Sequence, residues 1–163
     1  MRKYLIFFVI GVSVFAQNVK VGYIDMKKVF ENYEKAKKTE EGFKKEVMEE
    51  QKNIDKIQEE IKRMQDDYEK KKNIMKPEEQ KKKEDEIKAK IQEFSKKWTE
   101  VSKRLDEKGK LLESEIIDEI KKTIRDYAKK NGYSIVVDSR LLLYGDDACD
   151  LTDEIIKILN KQK

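Results

Sequence analysis

The chain has 163 residues, and 44% of them are charged, against about 25% in an ordinary globular protein. That leaves too little apolar material for one thick core, so the choice lies between long helices and disorder, and periodicity must decide. The 38 basic and 34 acidic side chains nearly cancel. With no zinc-finger or RNA-binding signature present, an excess of +4 gives no ground for a nucleic-acid partner.

Residues 1–16, MRKYLIFFVIGVSVFA, stand apart from the rest. Arg2 and Lys3 precede an uncharged apolar stretch that begins at Leu5 and closes on Val14, Phe15 and Ala16. This is the pattern of a secretory signal peptide, with cleavage expected after Ala16. The apolar stretch is about 12 residues long, short of the roughly 20 that span a bilayer. The residue directly after the cleavage point is Gln17 and not a cysteine, so a lipid anchor is not expected and the mature protein should be soluble and exported.

The next segment, NVKVGYID, reads as a strand in which Val19, Val21 and Tyr23 alternate with Lys20, Gly22 and Ile24. From Val29 a four-three spacing takes over: Val29, Tyr33, Ala36, Glu40, Phe43, Val47, Glu50, Ile54, Ile57, Ile61, Met64, Tyr68, Lys71 and Met75. Eleven of these fourteen positions are apolar or aromatic. Such a seam predicts a left-handed coiled coil and excludes disorder as the main reading.

The only proline, Pro77, stands in NIMKPEEQ. It fits a first helical turn, and Glu78 and Glu79 favour a helix N-terminus, so one helix should end near Met75 and another begin near Pro77. The second seam runs Ile87, Ile91, Phe94, Trp98, Val101, Leu105, then Leu112, Ile116, Ile120, Ile124 and Tyr127. Its spacing slips near Gly109, a stutter that unwinds the supercoil locally. The helix should close at KKNG, with Gly132 as a left-handed cap. Each arm is about 50 residues, or roughly 75 Å at 1.5 Å per residue.

Beyond Gly132 the character changes. YSIVVD, from Tyr133 to Asp138, reads as a strand, RLLLYG offers a third one, and LTDEIIKILNK reads as a short terminal helix capped by Thr152. Leu151, Ile155, Ile158 and Leu159 would form its apolar face. An antiparallel hairpin returns the chain to its start, so the two ends should build one body. The expected fold is α+β, mostly α. A β-rich body (17–26 and 132–163) should carry a helical hairpin (27–131) whose tip lies near 75–78.

Such a body is too small to be stable alone. Self-association should complete it, with Val19, Val21, Tyr23, Val136, Val137, Leu142, Tyr144 and Leu151 as the body residues involved. The basic excess lies on the arms: residues 17–131 carry 32 basic and 28 acidic side chains.

Much chemistry is absent from the sequence. There is no histidine, which removes His-based acid–base catalysis and His metal ligands. The lone Cys149 cannot form an internal disulfide or a thiolate metal site and reads as a small apolar filler. No glycine cluster makes a phosphate loop. Asp146, Asp147 and Asp150 lack the spacing of a calcium loop. Neither a catalytic centre, a metal nor a cofactor is expected, and the chain is not read as an enzyme. Few apolar residues lie off the seams; Met48 and Ile74, with Met75 by the tip, are the candidates for contact with a partner.

The signal peptide, the opening VGYIDMKKVFENY, the charged hairpin and the ending VVDSRLLLYGDDACDLTDEIIKILN together resemble the Skp/OmpH family of periplasmic chaperones. The ending is the most specific part, through Val136, Val137, Asp138, Tyr144, Asp150, Leu151 and Thr152. The resemblance implies a jellyfish-like homotrimer with a β-rich body and three helical tentacles around a cavity. It implies ATP-independent holding of unfolded outer-membrane β-barrel proteins in the periplasm. It also implies lipopolysaccharide, or an anionic membrane surface, as a partner, although no position here can be assigned to that role. Two rivals stand beside it: an exported coiled-coil scaffold or envelope spacer with a fixed folded partner, and a prefoldin-like holdase that keeps residues 1–16.

Overall fold

The computed structural model describes residues 19–161; the expected signal peptide lies outside them. Strand β1 (Val21–Ile24) leads into helix α1 (Met26–Asn32) and then α2 (Glu34–Lys71). A 3-10 turn (Lys72–Ile74) makes the tip. Helix α3 (Pro77–Lys130) returns to strand β2 (Ile135–Asp138), and helix α4 (Thr152–Lys161) ends the described chain. The fold is α+β and mostly α: a long antiparallel hairpin on a small body.

The strands pair in parallel, Val21 with Ile135 through Ile24 with Asp138. Parallel neighbours need a long crossover, and here the entire hairpin is that crossover. The opposite edge of β1 is occupied by a single bridge at Asp150, where the Leu151 N–H donates to the Tyr23 carbonyl at 2.9 Å.

The core gathers three distant stretches. Ile24, Val29, Tyr33 and Ala36 come from the start, Ile116 and Ile120 from α3, and Leu151, Ile155 and Leu159 from the end. Capping closes the joints between them. The Asp25 carboxylate accepts from the Lys28 N–H and starts α1, while the Asp25 N–H donates to Thr152 Oγ1 at 2.9 Å. Gly132 takes φ +72 and the Tyr133 N–H reaches back to the Ala128 carbonyl, closing α3 with the left-handed glycine expected there.

Four details differ from the sequence reading or were left open by it. The helix is not continuous from Val29: it breaks at Tyr33, whose backbone is extended (φ −82, ψ 114). Asn160 repairs the break, its Oδ1 accepting from the Glu34 N–H and its Nδ2 donating to the Asn32 carbonyl.

The second detail, left open by the alternation, is the inward face of β1. Gly22 and Ile24 are buried, while Val19 and Val21 are exposed. A Cβ on Gly22 would lie 2.6 Å from Leu151 Cδ1 and 3.1 Å from the Tyr133 ring, so the α4 entry sits directly against that backbone. Third, RLLLYG is not a strand: Ser139–Leu141 form a 3-10 turn, and residues 142–145 pair with no strand among the described residues. Fourth, Thr152 is the first residue of α4 rather than its cap, and the Asp150 carboxylate accepts from its N–H at 2.8 Å.

Candidate functional site

The body exposes one apolar protrusion. Leu143 is fully exposed (107%) and Tyr144 nearly so (82%); Leu141 and Leu142 are exposed beside them. The loop returns at Gly145, whose backbone lies against the Tyr23 ring; a Cβ there would come within 2.6 Å of it. Exposed Val19, Val21 and Ile135 belong to the same small body. Large apolar patches left open on a small unit mark an interaction surface.

The proposed body residues thus fall into groups. Val19, Val21, Leu142 and Tyr144 are exposed, and Tyr23, Val136 and Val137 are half-buried. Leu151, 4% exposed, is used within the chain's own core.

The arms are held in register by charges across the seam. Glu46, Glu50 and Glu60 of α2 face Lys108, Arg104 and Lys90 of α3, and at the base the polarity reverses in the Lys35–Glu119 pair at 2.6 Å. Near the tip the Tyr68 hydroxyl donates to Glu84. Exposed pairs of this kind contribute about 0.2–1 kcal/mol each, so they choose the register more than they hold the arms together. Buried Ile54, Ile61, Ile87 and Val101 hold the outer arm.

At the tip Gln80 Nε2 donates to the carbonyls of Lys72 and Met75 at 2.7 and 3.2 Å. That fixes the turn and leaves Ile74 86% exposed, with Met75 half-buried. Met48 is exposed too, but it lies 26 residues before Ile74, about 39 Å down the arm. The three candidates are therefore not brought together.

The sequence reading missed others. Ile91 and Trp98 (45%) sit in the second seam yet are exposed, seven residues apart on one face of α3, and Leu111 is exposed nearer the base. Ile91 also lines a shallow groove with Gln65, Tyr68 and Ile87. A two-helix seam has a partner on one side only, so its flank stays open. The signal available was a tryptophan at a heptad position among lysines.

One cluster at the base of the arms, in which only Tyr33 is buried, has unusual electrostatics. Burial, aided by the hydrogen bond to Glu119, pushes the Tyr33 phenol up to about 12. Lys35 holds the Glu119 carboxyl below its ordinary value, with the Tyr33 hydroxyl helping and partial burial opposing. A raised folded value makes Tyr33 stabilise the body fully below pH 10, and that stability is lost as pH rises through about 12. The loss is about 2 kcal/mol. Tyr33→Phe is expected to unfold somewhat more easily at neutral pH but to lose this alkaline fall, measured as denaturant midpoints between pH 10 and 12. Glu119 acts in the opposite range, its contribution lost in acid as pH falls through its lowered value.

The acidic turn has local work of its own: Asp146 accepts from the Ala148 N–H and Asp150 from Thr152. Among the described residues no group of three or more acidic or cysteine side chains is placed to hold a metal, and no helix is long and apolar enough to cross a membrane.

Comparison with known proteins agrees with this architecture. Residues 20–159 match the family described as outer membrane protein (OmpH-like). No curated protein sequence matches the chain. The crystal structure of an OmpH-like protein from Caulobacter crescentus CB15, itself taken to be an outer membrane chaperone, superposes with a TM-score of 0.82 at 13% identity, covering 89% of this chain and 86% of that one. That likeness is one of fold. The sequence match spans nearly all of the described residues, body and both arms alike, and the chain belongs to the OmpH-like family.

Proposed function

We propose that the chain is an ATP-independent periplasmic holdase, joined into a homotrimer through its body, that keeps unfolded outer-membrane β-barrel proteins from aggregating between its arms. The observation that carries this reading is how the exposed apolar residues are divided. Leu141, Leu143 and Tyr144 cluster on the body, where copies can meet, whereas Met48, Ile74, Ile91, Trp98 and Leu111 are scattered singly along arms otherwise covered by charge. Scattered contacts suit weak, reversible capture of varied chains better than recognition of one folded partner. Membership of the OmpH-like family supports the same reading.

The test dilutes a urea-unfolded outer-membrane barrel into buffer with the purified protein, without nucleotide, and follows light scattering. Suppressed scattering at stoichiometric trimer is expected. Scattering unaffected by excess protein would defeat the proposal and leave the fixed-partner scaffold.

A further inference from the structure

The two flanks of the hairpin seam differ in chemistry. On one flank, seven-residue steps bring Glu46, Asn53, Glu60 and Asp67 to the edge of α2 and Lys90, Lys97 and Arg104 to the edge of α3. The pairs Glu60–Lys90, Glu50–Arg104 and Glu46–Lys108 close that side. On the other flank the same steps give Gln51, Gln58 and Gln65 on α2, with Ser95 and Ser102 on α3, all of them exposed. The register of the ion pairs sets Gln58 opposite Ser95 and Gln51 opposite Ser102. In a chain that is 44% charged, this flank is neutral between Lys44 and Lys88 at its two ends.

The exposed seam residues open on the neutral side. Ile91 shares its groove with Gln65 and Lys88. Trp98 lies one helical turn from both Ser95 and Ser102, and the exposed Met48 one turn before Gln51. Gln51 Nε2 donates to Asp55 on its own helix at 2.7 Å, which leaves Gln58 as the central amide of the flank.

An unfolded chain exposes apolar side chains together with neutral peptide N–H and C=O groups. Primary amides and hydroxyls both donate and accept, so they can meet those groups. Covering lysine or glutamate heads with an apolar segment would instead strip water from charges, at a far larger cost. From Gln51 to Gln65 the flank runs about 21 Å, the length of about six residues of extended chain.

On the holdase reading, we propose that this neutral flank is where each arm takes its client. An extended, uncharged segment of an unfolded chain lies along it. The segment's apolar side chains rest on Trp98 and Ile91, and its peptide groups meet the Gln58 amide and the Ser95 and Ser102 hydroxyls.

Trp98 is the only tryptophan, so its emission reports on the flank directly. The whole protein is titrated with a short tryptophan-free peptide in which leucine alternates with threonine, and a blue shift that saturates is expected. Gln58→Glu with Ser95→Glu should weaken binding about tenfold by setting charge beside the segment. Asn53→Glu with Lys97→Gln changes the net charge equally on the opposite flank and should leave binding within about twofold. All four positions are exposed, so circular dichroism should match the parent. Equal weakening by the two pairs would overturn the flank, as would Trp98 emission that the peptide leaves unmoved. Emission that shifts with protein concentration before peptide is added would put a second copy there and overturn it too. The holdase reading is judged apart, by scattering: suppression there with Trp98 unmoved here would sink the flank alone.

Discussion

Changing Leu141, Leu143 and Tyr144 together to serine is expected to yield a folded chain that no longer assembles. All three are largely exposed in the single chain, and none belongs to the body core. Their loss therefore leaves Ile24, Ile120, Leu151 and Ile155 packed as before. Covering a large apolar side chain on association contributes about 1.5–3 kcal/mol. Three such residues are ample to separate a stable trimer from a monomer at micromolar concentration. Sedimentation should find a monomer, with the far-ultraviolet circular dichroism of the parent. Val136→Asp is the less selective change, because Val136 packs against the core, and a buried unpaired charge there should unfold the body too. A serine variant that still sediments as the parent assembly would remove the protrusion from the interface.

The features legible in the sequence were those set by local chemistry or by long periodicity. Pro77 and the two glutamates after it marked the return helix, Gly132 marked its end, and the two seams marked the arms. What could not be read depended on partners distant in sequence. The seam passes through Tyr33 without a flaw, yet the helix breaks there because Asn160, 126 residues beyond Glu34, supplies the hydrogen bonds that the break exposes. The alternation in β1 left open which of its sides faces the core, and the side with Gly22 and Ile24 does. Leu151 and Tyr133 occupy that side, and only a glycine lets them approach.

The run Leu141–Tyr144 has strand composition but no ladder to join among the described residues, and a strand without a neighbour is not a strand. The exposed apolar residues of the arms were the least legible. A heptad pattern locates the seam but not which of its flanks stays open, so Trp98 and Ile91 looked buried.

Removing residues 61–91 and joining Glu60 to Gln92 through a short turn is expected to separate assembly from client holding. Glu60 faces Lys90 across the seam at 3.3 Å, so the cut takes both arms at one level and keeps the remaining register. It removes the tip, the buried Ile61 and Ile87, and the exposed Ile74 and Ile91, shortening α2 by 11 of its residues, or about 16 Å. The body core draws on no residue between 37 and 115, so the proposed trimer and its circular dichroism per helical residue should survive.

Holding should not survive equally for all clients. An apolar side chain only partly covered contributes about 1 kcal/mol, and each arm loses two that are exposed. A large unfolded barrel that reaches all three arms should therefore bind on the order of a hundredfold more weakly, after allowance for non-additivity. A short client that touches only the base of the arms should bind nearly as before, through Met48, Trp98 and Leu111. Anisotropy titrations with labelled unfolded barrels of two sizes measure both constants on the same preparation. Equal loss for the two sizes would point to damage at the base rather than lost reach. Undiminished binding of the large barrel would show that the outer arms are not the device that holds it.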